Sequence, residues 1–291
     1  MLIGVKLPHT GPVRPDRVAD GAHALEAAGF DSLWVSDHVV MPEHIGSPYP
    51  FAADGLAAWP SDTPYLEAVV TLAAAAAVTS RVRLGTAVLV LPQRNPVLLA
   101  KQAATVDALS GGRLDLGVGA GWLREEFDAL HAPFQGRAAR MQTWIEVLRD
   151  CWSGRPAART DGYPLAAGTL VLPRPNRPIP ILLGGHSPAA LDRAGRLGDG
   201  WLGQQSVPDL DPTVLSLDID RVRRAATTAG RDPLRLRFVL RLIESRGRHS
   251  EIAAATAALG AAGVTEIIVD VDPFDDDPAA VRATLAGDLA S

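Results

Sequence analysis

The chain has 291 residues, 47% of them hydrophobic and 21% charged, and carries a formal net charge of −5 at pH 7. This composition suits a globular protein with a large core, and its acidic balance argues against general affinity for nucleic acid. No apolar run reaches the roughly 18–20 residues of a membrane span, so no membrane partner is expected. The single cysteine, Cys151, excludes an internal disulfide and fits a reducing, cytoplasmic setting; it lies in a core-type helix end, TWIEVLRDCWSG.

Taken in chain order, the sequence alternates two kinds of pattern. The opening MLIGVKLPHTG reads as a strand, Leu2–Leu7, with an apolar part too short for a signal peptide. Helix Arg14–Ala28, strand Ser32–Ser36, helix Pro64–Thr79 and strand Val82–Val88 follow. Asn95-Pro96 places a capping side chain before a proline at the first helical position, which predicts helix Pro96–Leu109. Gly111-Gly112 ends that helix, and Leu114–Val118 forms the next strand. Helix Arg137–Trp152, strand Ile179–Leu183, helix Pro188–Leu197 and strand Gly200–Leu202 continue the alternation. Helix Pro212–Ala229, strand Leu234–Leu240, helix Ser250–Ala261, strand Glu266–Asp270 and helix Pro278–Leu289 complete it.

Most of the strands are short apolar runs without strict alternation, as parallel strands covered on both faces require. Eight strand–helix units in about 250 residues predict closure into a (β/α)8 TIM-type barrel with insertion segments, a single domain over residues 1–291. An open doubly wound sheet is the alternative. Two segments exceed ordinary loop length. His38–Asp62 leaves the C-terminal end of a strand, where barrel sites form, and reads as a lid or pocket wall. Ser153–Arg177 holds DGYPLAAGTLVLPRP, a small hairpin on the opposite face with a structural or dimer-contact role.

Polar and aromatic groups collect just after the strands: His9, then Ser36-Asp37-His38, then Gln93-Arg94-Asn95, then Gly119-Ala120-Gly121-Trp122. Gly184-Gly185-His186-Ser187 and Gln204-Gln205 follow the next two strands. Asp37-His38 is the strongest chemical pair, because a carboxylate can fix an imidazole tautomer or bind a ligand's ring edge; a loop cap beside a packed histidine is the plainer reading. Gly184-Gly185-His186-Ser187 leads into a helix whose N-terminal N–H groups and dipole favour an anion such as a cofactor phosphate; a tight turn is the plainer reading there. Gly117-x-Gly119-x-Gly121 lets something approach the strand backbone, but Trp122 stands where a dinucleotide fingerprint needs its third glycine. No Walker loop, HExxH helix, G-x-S-x-G elbow or CxxC occurs, and the seven histidines are scattered, so no metal is expected. His44, His131 and His249 read as surface or core residues; Glu125-Glu126 in WLREEF has a catalytic reading, but a solvated first helical turn is the favoured one.

VSDHVV at 35–40, RLGTAVLVLPQRNPVLLAKQAATVDALSGGRLDLGVGAGWLREEFDAL at 83–130 and PIPILLGGHSPAALDRAGRLGDGWL at 178–202 resemble the luciferase-like monooxygenase superfamily. The likeness is greatest to its coenzyme F420-dependent oxidoreductases, and the final third matches only loosely. The resemblance implies a barrel with an insertion, a homodimer, and a deazaflavin at the C-terminal mouth. It implies that Asp37 contacts the deazaflavin, that His38 stands where a related sugar-phosphate dehydrogenase has its proton-donating histidine, and that Ala87-Val88 forms a bulge or non-prolyl cis peptide behind the ring. It further places Val90, Gly119, Ala120 and Gly121 by the ring, and Gly184, Gly185, His186 and Ser187 at the phosphate tail. Where that dehydrogenase carries a glutamate base this chain has Trp122, which cannot abstract a proton, and the sugar-phosphate lysines have no clear counterparts. Trp122 offers a flat apolar wall for a hydrophobic or conjugated substrate.

These readings predict an F420-dependent oxidoreductase acting on a small organic substrate, with His38, aided by His9, carrying the proton that accompanies the hydride. The alternatives are an FMN-dependent monooxygenase, a non-catalytic flavin- or deazaflavin-binding homologue, and a barrel lyase or isomerase with a phosphate site.

Overall fold

Buried aliphatic runs build the strands. Ile3, Val5, Leu33, Val35, Leu84, Leu116, Ile181, Leu183, Leu240 and Ile267 are all nearly or fully inaccessible. The computed structural model describes residues 1–11, 15–52, 54–57 and 59–287. Nine strands form one parallel sheet: β1 (Leu2–Lys6), β2 (Ser32–Val35), β3 (Arg83–Thr86), β4 (Leu89–Val90), β5 (Leu114–Gly119), β6 (Ile181–Gly184), β7 (Gly200–Ser206), β8 (Arg237–Ile243) and β9 (Glu266–Asp270). Their order is β3-β2-β1-β9-β8-β7-β6-β5-β4, and a further β3–β5 pairing closes the ring. β3 and β4 both pair with β5 and act as one stave, so this is an eight-stave (β/α)8 barrel.

The helices are α1 (Val18–Ala27), α2 (Ala68–Val78), α3 (Pro96–Leu109), α4 (Arg124–Ala129), α5 (Arg137–Trp152), α6 (Pro188–Leu197), α7 (Pro212–Thr228), α8 (His249–Ala262) and α9 (Pro278–Ala286). Three of them, α3, α5 and α6, begin and end where their sequence signals do. Asn95 and Ser187 accept amide hydrogen bonds as N-caps before Pro96 and Pro188. No helix among the described residues is long and apolar enough to cross a membrane.

Several boundaries depart from expectation for physical reasons. The expected strand Val82–Val88 is broken by a cis peptide between Ala87 and Val88. Gly85 faces Asp115 and Leu89 faces Val118, so four steps on one side oppose three on β5, and the extra residue is a bulge. The expected strand Leu234–Leu240 starts late: Leu234 is 89% exposed in a 3-10 turn, Pro233–Arg235, capped by Asp232. β7 outruns Gly200–Leu202 because its polar last residues, which carry no apolar pattern, go on pairing with β8 as far as Ser206 and Ile243. α2 starts at Ala68, after Tyr65 bridges Thr10 and Glu67 caps the helix. Arg14 and Leu289, the outer ends of two expected helices, lie outside the described residues. Of the expected hairpin in 153–177, only the bridge Arg159–Leu165 forms.

Two apolar clusters hold the barrel. The larger lies between staves and helices and includes Cys151. The smaller fills the lumen with Trp34, Leu182, Leu202, Val239 and Ile268, and Ala87 and Val88 pack on it. Four charges close the N-terminal end, the carboxylates buried and the arginines half-buried: Arg83 and Arg237 each bridge Asp115 and Glu266 at 2.6–3.1 Å. Glu266 also accepts from Ser32 at 2.5 Å and Trp34 Nε1 at 3.2 Å. Burial raises the Asp115 carboxyl to about 6 despite its arginines. The opposite end stays open.

Candidate functional site

A cavity of about 970 Å³ occupies the C-terminal mouth. Of the strand-end residues singled out in the sequence, Asp37, His38, Ala87, Val88, Val90, Gly119 to Trp122, and Gly184 to Ser187 line it together. His9 does not. It is fully buried, with Nδ1 2.7 Å from the Leu7 carbonyl and Nε2 accepting the Ser36 N–H at 2.9 Å, the Ser36 carbonyl lying 3.0 Å away. Burial with no carboxylate partner lowers it to about 4, so His9 braces the ends of β1 and β2 as a neutral ring. This position does not support its expected part in proton transfer.

His38 is held from a direction that the sequence reading missed. Its Nδ1 lies 3.1 Å from Glu126 Oε2, and the Glu126 side chain is 1% exposed. Glu126 Oε1 accepts the Val39 and Val40 amides at 2.6 and 3.3 Å. The expected solvated turn is thus a short helix, α4, whose second carboxylate is buried under the loop. Its neighbour Glu125 accepts the Gly46 and Ser47 amides and the Ser47 hydroxyl at 2.7–3.0 Å. Together the pair clamps the segment that follows β2. The EE dipeptide beside an aromatic was the available signal; binding to loop amides is a tertiary fact that no spacing reveals.

Held this way, the long segment forms a wall of the cavity with Tyr49, Pro50, Phe51 and Trp59, joined by Tyr65. The rings meet edge to face: His38 lies 5.2 Å from Tyr65 and 6.1 Å from Trp122, and Tyr49 lies 5.2 Å from Trp122 and 5.1 Å from Trp59. Burial pushes the Tyr49 and Tyr65 hydroxyls up, so both remain protonated donors. Among the described residues, His38 Nε2 has no protein partner. It is the one unpartnered imidazole nitrogen of this aromatic box; Trp59 Nε1 is also unpartnered, but an indole N–H can only donate.

Asp37 has a different task from His38. Its side chain is fully buried, with Oδ1 receiving Arg94 Nη2 at 2.5 Å and Oδ2 receiving the Val90 amide at 2.9 Å. Burial raises this carboxyl, and the guanidinium beside it works against that rise. Arg94 also reaches Glu67 at 2.8 Å. Both carboxylate oxygens of Asp37 therefore anchor the wall around Val90, at a residue that itself lines the cavity.

The glycines of β5 make room for the bulge. A Cβ on Gly117 would fall 1.9 Å from the Thr86 carbonyl oxygen, and one on Gly119 2.7 Å from Val88 Cγ2. What approaches the β5 backbone is thus the protein's own bulge, with Val88 as a ledge over Gly119 and beside Gly184. Across the mouth, His186 Nδ1 faces Asp218 at 3.3 Å while Nε2 accepts the Gln204 amide at 2.9 Å. Trp201 Nε1 donates to the Gly185 carbonyl at 2.9 Å. These contacts hold the turn into α6, where Ser187 caps the helix and Arg193, in its second turn, lines the cavity with Arg137 from α5. A helix N-terminus with two guanidiniums near it is a strong anion site. Both arginines escaped the sequence reading, although Ala189, Ala190 and Arg193 share one helical face.

Comparison with known proteins agrees with this layout. Residues 2–286 match the luciferase-like monooxygenase family. An uncharacterised protein of Mycobacterium tuberculosis is 39% identical over 210 residues, covering 72% of this chain and 71% of that one. An F420-dependent glucose-6-phosphate dehydrogenase of Amycolatopsis mediterranei is 32% identical over 192 residues, covering 65% of this chain and 53% of that one. Among solved structures, an F420-dependent secondary alcohol dehydrogenase in complex with an F420-acetone adduct superposes with a TM-score of 0.76 at 18% identity, covering 98% of both chains. At that identity the likeness is one of fold.

Proposed function

We propose, since the chain belongs to the luciferase-like monooxygenase family, that it is a coenzyme F420-dependent oxidoreductase that transfers a hydride between the deazaflavin and a small organic substrate. The observation that carries this reading is the cavity itself. One rim offers an anion site at the start of α6, and the Val88 ledge over Gly119 leads from it to an aromatic box containing one free imidazole nitrogen. The relatives named above, whose descriptions specify F420, support the choice of cofactor.

The residues fit such a group. Ser187, the first amides of α6, Arg137 and Arg193 would hold its phosphate-bearing tail, and Ala87, Val88, Val90 and residues 119–121 would flank its ring. The coenzyme supplies the hydride acceptor or donor. The protein does the rest. Trp59, Trp122, Tyr49 and Tyr65 exclude water; His38 gives or takes a proton at Nε2; Glu126 fixes the ring by accepting from Nδ1. Asp37 positions Val90 through its amide. Trp122 supplies a flat wall and no base.

We include a homodimer and a cytoplasmic setting in this proposal. Exposed Leu98 on α3 and exposed Leu170 and Leu172 on the segment after α5 offer apolar surface for a second copy, and Lys101 of α3 donates to the Leu172 carbonyl. Light scattering of the purified protein tests the dimer. The second functional reading, FMN-dependent oxygenation, draws on the family's name. Oxygen uptake with reduced FMN, and no hydride exchange with F420, would favour it over the first.

A further inference from the structure

The cavity has a second charged region, on the side opposite the α6 anion site. Counting around the closed ring, β1 and β6 are diametrically opposed staves. β6 leads to the α6 N-terminus. β1 ends in Lys6, which lines the cavity beside Arg241 from β8. Lys6 Nζ donates to Thr10 Oγ1 at 2.9 Å, and no other partner is found for it among the described residues. Arg241 is buried, with Nη2 on Asp270 at 2.5 Å and Nη1 on the Leu242 and Ile268 carbonyls. Asp270 also accepts from Ser245 at 2.9 Å. Asp270 offsets Arg241 and leaves the Lys6 charge uncompensated at this end of the cavity, with Glu244 further out on the wall.

We infer that Lys6 and Arg241 recognise a carboxylate on the substrate, so that the enzyme acts on a planar organic monoanion. The inference rests on the hydride-transfer reading, which gives the α6 end to the cofactor's phosphate and leaves the opposite end to the second reactant. One cation without a carboxylate partner, Lys6, matches a monoanion rather than a phosphate dianion. The aromatic box beside His38 suits the flat remainder of such a molecule. The lumen floor of Trp34 and Ile268 offers it no other ionic partner.

The pH dependence follows from the same groups. Facing Lys6 are Arg241 on β8, Asp270 at the end of β9 and neutral His9 beyond β1; β2 contributes Trp34, and Glu244, after β8, lines the wall further out. Burial and Arg241 lower the Lys6 ammonium to about 8, against the opposing pull of Asp270. Carboxylate binding therefore weakens as pH rises past 8 and the ammonium is lost.

The test is calorimetric titration of the whole protein with cinnamate and with methyl cinnamate, at pH 7 and pH 9.5, alongside a separate F420 titration. At pH 7 cinnamate binds about tenfold or more tightly than its ester, the scale of a charge-assisted contact. At pH 9.5 most of that preference is gone, a reading that needs no variant. Lys6→Met removes the preference at pH 7 and leaves ester binding in place. An ester bound as tightly as the acid, a preference unchanged at pH 9.5 or in Lys6→Met, or binding of neither compound overturns the inference. If F420 binds and carboxylate selection is absent, only this inference falls. If the acid is selected and F420 does not bind, the hydride-transfer reading falls and the carboxylate site stands.

Discussion

Glu126 Oε2 lies 3.1 Å from His38 Nδ1, while its Oε1 holds the amides of Val39 and Val40. One carboxylate thus sets both the ring of the proposed proton carrier and the first residues of the wall around it. Replacing His38 with alanine should lower turnover by about 10²–10⁴-fold, with F420 affinity nearly intact. Glu126→Gln keeps the shape and loses the charge, so it should slow turnover less, by about tenfold or more. Single-turnover oxidation of reduced F420, paired with F420 titration, checks both. Equal loss of turnover and cofactor affinity in His38→Ala would make His38 a binding residue.

Arg94 neutralises a carboxylate with no access to solvent. Arg94→Met should destabilise the fold by about 3–5 kcal/mol, because Asp37 would be left buried and unpaired. Asp37→Asn in the same chain should recover part of that loss. Urea unfolding of the wild type and the two variants gives the comparison, with the slopes showing whether two-state behaviour holds.

His9 makes a separate, acid-side prediction. Its folded-state value is lowered to about 4 from an ordinary 6.5, so between those values the unfolded chain binds more protons. The stability this site contributes is complete above pH 6.5 and is lost as pH falls through 4. The span corresponds to about 3 kcal/mol at most. His9→Asn should flatten the slope of stability against pH between 6.5 and 4; an unchanged slope would place the titrating group elsewhere.

Gly119→Ala tests the ledge. The new methyl would meet Val88 Cγ2 at 2.7 Å, displacing the surface on which the ring is proposed to rest. F420 affinity should fall by about tenfold or more, while Gly119→Ala with Val88→Ala, which removes the obstructing carbon, should regain most of it. Failure of the second change to rescue the first would mean that Gly119 is needed for its backbone rather than for clearance.

The barrel was legible because each stave announces itself locally. Proline and capping side chains mark the starts of α3 and α6, and buried aliphatic runs mark the strands between. Residues at strand ends were legible for the same reason, since a parallel barrel brings all those ends to one face. Tertiary burial was not legible. Nothing near WLREEF indicates that Glu126 turns under a loop about ninety residues earlier in the chain, or that Asp37 pairs with Arg94 while its neighbour His38 pairs with Glu126. Leu234 misled in the opposite direction, because an apolar residue in a turn resembles a strand start until its 89% exposure is seen. The charged end at Lys6 and Arg241 was invisible for a related reason: these residues are 235 positions apart and meet only when the ring closes.

The measurement that bears most directly on the central claim is a paired titration of the purified protein with F420 and FMN, followed by fluorescence. The proposed function predicts saturable F420 binding at least about tenfold tighter than FMN binding, weakened in Arg193→Ala at the α6 anion site. Preference for FMN, or binding of neither, would contradict it.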